Sequence, residues 1–292
     1  MQIEKNVSLK KYNSWQVGGE AEYFVLPENM EQMREAEAFA KTNNLQITVI
    51  GSGSNVLVPD HGIKGLVICT KKFRGLHCSQ EENRLFIECM AGEPKFALMK
   101  AFLKENLPPA IFLSGLPGDV GGGLVMNAGI SEGLKPREFV EICDWLEVLR
   151  DGEVHRYHNK DLDWSYRHCR GWEPGIIVRA SFSWPLEDRQ DNLKQKTKDF
   201  SKTRWQRQPL DLPSCGSTFV NPSKDKSAGY YIEKAGLKGF QIGDAAVSEK
   251  HANFIVNLGN AKAADIKQVI EHIQQSVREQ FRVDLRTEVR FL

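Results

Sequence analysis

The sequence predicts an α+β fold. Short apolar strands and amphipathic helices follow one another without the strict βαβ rhythm of a doubly wound sheet. A glycine/serine loop, GSGSN at residues 51–55, leads from one apolar strand into another rather than into a helix. That context argues against a Rossmann fingerprint, which needs strand, loop and helix with G-x-G-x-x-G spacing. After Pro185 the composition turns strongly charged, marking a boundary in a chain whose 292 residues suit two to three structural units.

Residues 12–19 (YNSWQVGG) read as a polar turn closing on a glycine pair, and residues 21–26 as a strand ending at Pro27. From Glu28 the spacing of Met30, Met33, Ala36 and Ala40 is helical, and Asn43-Asn44 ends the helix. Residues 47–50 (ITVI), 56–58, 65–70 and 85–90 read as strands. Pro94 opens a helix with an apolar stripe at Phe96, Met99 and Leu103, flanked by Ala97 and Ala101, and Pro108-Pro109 stops it. Asp151-Gly152, between strands at 141–150 and 153–157, is a type I′ hairpin signal. Residues 163–170 (DWSYRHCR) carry no clean period, whereas Ile176, Val178, Ala180, Phe182 and Trp184 alternate along one strand face. Residues 187–207 predict an exposed helix with a thin stripe at Leu193, Thr197, Phe200 and Arg204. A turn-rich loop at 208–221, a short helix at 227–235 stopped by Gly236, and a strand at 253–258 follow. Residues 261–281 place Ile266, Val269, Ile270, Ile273 and Val277 on one helix face. Residues 283–291 alternate as a strand, with Glu288 and Arg290 on the same, solvated side.

The densest chemistry is at residues 114–129, SGLPGDVGGGLVMNAG, where six of sixteen positions are glycine and there is no Lys, Arg or Glu. Glycine lets backbone N–H groups approach a ligand and adopt positive φ, and such loops cradle phosphates. A tight buried turn is the equal alternative on local sequence alone. Pro117-Gly118-Asp119 is placed to start a short helix whose outward N-terminus offers free N–H groups.

The net charge of +1 gives no electrostatic case for a nucleic-acid or anionic-membrane partner. Six scattered cysteines form no CxxC pair, so no metal site is expected. The N-terminal residues show no apolar leader, and no apolar run reaches membrane-spanning length, so reduced thiols and a cytoplasmic location are the expectation. The sequence sets no oligomeric state, and a monomer is compatible with it.

The ordered series GSGSNVLV, SGLPGDVGGGLVMNAG, WSYRHC, PSCGSTFVNP, AGLKGFQIGDAAVSEKHANFIVN and LRTEVRFL resembles the bacterial UDP-N-acetylenolpyruvoylglucosamine reductases over nearly the whole chain. Its length and the cysteine in PSCGS resemble the shorter, type II branch. The resemblance implies a PCMH (vanillyl-alcohol-oxidase-type) FAD-binding domain of two subdomains, at 1–68 and 69–185. It further implies a smaller α+β substrate-binding domain at 186–281, and a C-terminal strand at 282–292 returning to the active site. It implies non-covalent FAD, NADPH as hydride-donating co-substrate and a UDP-sugar substrate.

By the same resemblance, Gly51, Ser52, Gly53, Ser54, Asn55, Ser114, Gly115, Pro117, Gly118, Gly122, Asn127, Ala128, Gly129 and Val178 line the cofactor. Ser217 matches the family's proton donor, Arg167 the arginine that binds the substrate carboxylate, and Glu288 the glutamate that stabilises the developing charge. A planar guanidinium suits a carboxylate. Glu288 would need to be neutral or hydrogen-bonding, and a neighbouring Arg290 opposes that. Asn221, Lys238 and His251 fall on sugar-nucleotide positions, and Arg207 is a further candidate, for a phosphate contact. Cys215 is a small packed thiol, since the chemistry has no covalent step. Gly123 stands where alanine is usual in PG-x-x-GGA, Cys169 where SYRxS has a serine, and Val220 where a lysine is common. The competing reading is another PCMH-type FAD oxidoreductase acting on an alcohol or sugar, with His61 as the nearest residue for a covalent flavin link. A non-catalytic nucleotide-binding module is a third.

Overall fold

A computed structural model describes residues 1–130, 133–223 and 225–292, and among these glycines, prolines and asparagines punctuate the chain into sixteen strands and seven α-helices. In order these are β1 (Glu4–Ser8), β2 (Glu20–Val25), α1 (Met30–Thr42), β3 (Ile47–Ile50), β4 (Val56–Leu57), β5 (Ile63–Cys69), β6 (Leu76–Glu81) and β7 (Arg84–Met90). Then come α2 (Lys95–Lys104), α3 (Pro109–Ser114), α4 (Val120–Val125), β8 (Cys143–Arg150), β9 (Glu153–His158), β10 (Asp163–Ser165), β11 (His168–Arg170) and β12 (Ile176–Pro185). The chain closes with α5 (Leu193–Arg207), α6 (Ala228–Lys234), β13 (Gln241–Ile242), β14 (Ala245–Val247), β15 (Ile255–Asn257), α7 (Ala263–Phe281) and β16 (Arg290–Phe291).

The chain divides into two compact units that interleave along the sequence. One holds Met1–Ile3, Val25–Ser52 and Ile68–Arg204; the other holds Glu4–Phe24, Gly53–Val67 and Trp205–Leu292. This grouping cuts across the linear segments 1–68, 69–185, 186–281 and 282–292.

The first unit is built on a five-stranded antiparallel sheet in the order β6-β7-β12-β8-β9. Its core side carries Ile87, Leu146, Ala180 and Phe182 against Leu98 and Phe102 of α2, Phe112 of α3 and Leu124 of α4. Phe139 sits edge-on to Phe112 and Phe182, at centroid distances of 6.4 and 5.6 Å. Arg179 and Arg156 clasp Glu147 away from that core, at 2.8 Å each. The β8–β9 hairpin turns at Asp151-Gly152 with φ of 52° and 81°, as the type I′ signal predicts. The expected one-face alternation of β12 breaks at a register shift between Ile177 and Arg179. Val178 is the extra residue there, so Ile177 packs with Ala180 and Phe182 while Val178, itself fully buried, lies outside that cluster.

In the second unit β1, β2 and β5 are neighbours in that order, and β13-β14-β15 form a small antiparallel sheet. The core gathers Ile255, Ala228 and Ile232 around Ile266, Val269, Ile270, Ile273 and Val277, the predicted stripe of α7. β16 pairs parallel with β4, matching Arg290 to Val56.

Several expectations are corrected. Residues 12–19 are a buried connection, not a polar turn: Trp15 and Val17 are fully buried. Asn13 donates to the carbonyls of Leu9 and Val17, and Trp15 Nε1 to Ile255 O, all within 2.8 Å. In α2 the buried face is Lys95, Leu98, Met99 and Phe102, whereas Phe96 is 58% exposed. Pro109 both ends the loop after α2 and starts α3. Residues 283–291 keep their alternation, burying Leu285 and Val289, but only Arg290–Phe291 forms a ladder, with Phe291 exposed. The strands β1, β6 and β13 carry too little apolar pattern to be foreseen, and β14, apolar and buried throughout, is only three residues long.

Candidate active site

In the first unit, two glycine-rich segments meet through one carboxylate. Asp119 caps α4 by accepting from Gly122 N–H at 2.8 Å, and its other oxygen accepts from Ser52 N–H at 2.5 Å. A Cβ on Gly51 would lie 1.9 Å from Asp119 Oδ2, so only glycine permits this approach. The first N–H groups of α4 itself are thus taken internally, Gly122 by the Asp119 carboxylate and Val120 and Gly121 by the Glu93 and Ala91 carbonyls, so the free N–H groups lie just ahead of the helix, at Gly118 and Asp119. Sequence reading missed Asp119 as the link, although Asp before a glycine-rich helix start is a capping signal.

The loop ahead of α4 is laced to the start of α2. Lys95 N–H donates to Gly118 O at 3.0 Å, Val120 N–H to Glu93 O at 2.9 Å and Gly121 N–H to Ala91 O at 2.7 Å. Ser114 donates its hydroxyl back to Ile111 O, and a Cβ on Gly115 would meet Phe200 at 2.7 Å. Asn127 is fully buried, its amide donating to Glu138 and Ser165 O while its oxygen accepts from Val140 N–H. Its side chain therefore braces the loop rather than presenting free N–H groups. Ala128 O accepts from Phe139 N–H.

Arg167 occupies the Tyr166-Arg167 turn of the β10–β11 hairpin, with φ of +60°, a conformation that disfavours non-glycine residues. Its Nη2 donates to Gly129 O at 2.8 Å, Nη1 lies 3.8 Å from Glu138 Oε1, and the guanidinium stacks over Tyr166. A guanidinium 12% exposed is thereby fixed against the end of the glycine-rich stretch. The hairpin itself was not legible in DWSYRHCR, and Glu138 was not foreseen.

In the second unit, Gly53 has φ of +70° and its carbonyl accepts from Ser14 N–H at 3.0 Å. Asn55 donates its amide to Glu288 O at 3.0 Å and accepts from Arg290 N–H at 3.1 Å. Ser54 follows Gly53 as a half-buried residue. These bonds join the loop to the C-terminal segment.

That segment also runs beside the residues around Ser217. Glu288 N–H donates to Thr218 O at 2.8 Å, Phe219 bridges Thr287, and Val220 N–H donates to Arg286 O. Ser217 and Glu288 are therefore brought onto adjacent strands of chain, both half-buried. Asn253, unforeseen, clamps the other side. Its carbonyl accepts from Thr218 N–H at 2.8 Å, while its side chain exchanges two bonds with Phe219 at 3.0 and 2.8 Å. Cys215 lies against the carbonyls of Gly53 and Val56, and burial pushes its thiol up to about 12. That makes it the packed, unreactive group expected.

The sugar-nucleotide candidates Asn221, Lys238 and His251 group around α6. Asn221 Oδ1 accepts from Ala228 N–H at 3.1 Å, and Lys238 pairs with Glu233 at 3.0 Å. His251 Nδ1 accepts from Asn253 N–H at 3.2 Å, which assigns the proton to Nε2. Burial holds its pKa below the ordinary value, and the Lys238 charge adds to that. Arg207 is exposed at the end of α5.

Comparison with known proteins places this geometry. Residues 21–158 match the family model of an FAD binding domain, and residues 208–292 that of the UDP-N-acetylenolpyruvoylglucosamine reductase C-terminal domain. The chain is 36% identical to the UDP-N-acetylenolpyruvoylglucosamine reductase of Clostridium novyi, covering all of this chain and 92% of that one. It is 38% identical to that of Lactobacillus gasseri, over 99% and 94% of the two. The solved reductase from Thermus caldophilus matches with a TM-score of 0.79 and 30% identity, over 100% of this chain and 99% of that one. The expected fold class holds: α+β, with a PCMH-type FAD-binding domain. The loop suits a dinucleotide phosphate, because the Gly118 and Asp119 N–H groups have no acceptor among the described residues. On fold, cofactor domain and full-length similarity, the chain belongs to the UDP-N-acetylenolpyruvoylglucosamine reductase family of FAD-dependent oxidoreductases.

Proposed function

We propose that this chain reduces the enolpyruvyl group of UDP-N-acetyl-3-O-(1-carboxyvinyl)-glucosamine to the lactyl ether, giving UDP-N-acetylmuramate for peptidoglycan synthesis, with NADPH as reductant. The observation that carries the reading is the pairing of the Ser217 and Glu288 segments, made by the 2.8 Å bond from Glu288 N–H to Thr218 O. FAD, when bound, would supply the redox chemistry that carries a hydride from NADPH to the terminal vinyl carbon of the substrate.

The chain must then hold the carboxylate, absorb the charge that moves toward it, and protonate the adjacent carbon. Arg167 binds the carboxylate, its guanidinium already oriented by Gly129 O and Tyr166. The Ser217 hydroxyl gives its proton to the adjacent carbon, and Glu288, in a hydrogen-bonding form, offsets the charge on the carboxylate. His251 is neutral and offers Nε2–H as a donor to the sugar nucleotide, together with Asn221, Lys238 and Arg207. Gly51, Ser52, Gly53, Ser54, Asn55, the 114–129 stretch and Val178 handle the cofactor. In this reading residues 1–68 and 69–185 serve FAD, 186–281 serve the substrate, and 282–292 return Glu288.

Steady-state NADPH oxidation tests the activity. It should depend on the enolpyruvyl UDP-sugar and yield the lactyl ether mole for mole. NADPH consumption that is indifferent to that sugar would overturn the reading.

A further inference from the structure

Lys95 is the charged side chain whose place in α2 the activity does not explain. It falls on the buried face of the helix with Leu98 and Phe102, and is 5% exposed. Its Nζ donates to Pro117 O at 2.8 Å, while its backbone N–H donates to Gly118 O at 3.0 Å. One residue therefore draws two consecutive carbonyls of the glycine-rich loop to its side.

Trans peptide planarity fixes the consequence. In each peptide unit the N–H points opposite to the C=O. With the Pro117 and Gly118 carbonyls turned to Lys95, the N–H groups of Gly118 and Asp119 are turned away together. Neither has an acceptor among the described residues, and Gly118 has φ of +96°, which lets successive N–H groups form an anion-binding concavity. Room for the lysine is provided by Gly123, where a Cβ would lie 2.9 Å from Lys95 Cε and 2.5 Å from Phe139 Cζ.

We propose that Lys95 is a positioning residue for the FAD diphosphate: it holds the Pro117 and Gly118 carbonyls so that the Gly118 and Asp119 N–H groups face a phosphate, and it places a buried positive charge behind them. The charged groups facing Lys95 are Asp119, from the loop, and Arg167, from the β10–β11 turn. Burial pushes the ammonium down to about 8, with Asp119 opposing and Arg167 adding to the shift. The positive charge is thus present at neutral pH and lost in mildly alkaline solution, whereas the neutral amine can still hold Pro117 O.

The experiment compares FAD with riboflavin, which has no phosphate, by fluorescence titration of the full chain stripped of cofactor. Lys95→Met should raise the Kd for FAD tenfold or more and leave the Kd for riboflavin unchanged. An equal loss for both ligands, or no loss for either, would overturn the proposal. Failure of the unaltered chain to bind FAD would instead contradict the cofactor reading itself. If Lys95→Met does not fold, the unaltered chain answers alone: its FAD Kd should be flat from pH 6 to 7.5 and rise several-fold by pH 9.5, with riboflavin flat throughout. An FAD Kd that is flat across this range would overturn the proposal.

Discussion

Glu288 donates its backbone N–H to the carbonyl of Thr218 at 2.8 Å, and this bond sets the residue proposed to stabilise charge beside the segment that carries the proposed proton donor. The arrangement is a backbone one, so it is insensitive to most side-chain changes nearby. What it does depend on is Asn253, whose side chain makes two bonds to the Phe219 peptide. Asn253→Ala leaves those groups buried without partners and should cost about 2–3 kcal/mol in chemical denaturation. A loss below about 0.5 kcal/mol would show that the clamp is dispensable.

Ser217→Ala should separate the two half-reactions. Flavin reduction by NADPH should be unchanged, and reoxidation by the enolpyruvyl sugar should slow by roughly a hundred-fold or more. Stopped-flow absorbance resolves the two steps. Equal slowing of both would remove Ser217 from the protonation role.

Arg167→Lys keeps the charge but loses the fork that reaches Gly129 O. The expected outcome is a KM for the sugar nucleotide raised by about tenfold or more, with NADPH reduction of the flavin unaffected. An unchanged KM would place the carboxylate elsewhere.

Gly51→Ala tests the junction of the two glycine-rich segments. The new Cβ would lie 1.9 Å from Asp119 Oδ2, so Asp119 must swing away from Ser52 and Gly122. Losing two bonds to a carboxylate should destabilise the protein by about 2–4 kcal/mol and release FAD on gel filtration. Full FAD retention would contradict the role of the junction.

The His251 environment predicts a pH dependence with a definite sign. Its folded pKa is depressed by burial, so below the ordinary histidine value the unfolded chain binds the proton and the folded one resists it. Stability should fall as pH drops from 7 toward 5.5, by at most about 1.4 kcal/mol per pH unit from this group. His251→Gln should flatten that limb of a denaturation-versus-pH curve; an unaltered slope would show that another group dominates.

Much of the fold was legible because it rests on local pattern. The α7 stripe, the Asp151-Gly152 turn and the strand at residues 47–50 are each specified within a few residues. Trp15 was misread because its burial is decided by Ile255, 240 positions away, which accepts its indole N–H. The α2 stripe was misplaced because a lysine occupies the buried face and a phenylalanine the exposed one. In the candidate site the glycine-rich segments stood out by composition, whereas Asp119, Glu138 and Asn253 act through partners distant in sequence. Such partners leave no local period for a reader to detect.

An anaerobic titration follows the proposed hydride from NADPH through FAD to the enolpyruvyl UDP-sugar. The holoenzyme is reduced with one equivalent of NADPH, bleaching the oxidised flavin band near about 450 nm. One equivalent of the enolpyruvyl UDP-sugar is then added without oxygen. The oxidised band should return in full, with the lactyl ether formed in equal amount. Flavin that stays reduced after the sugar is added would contradict it.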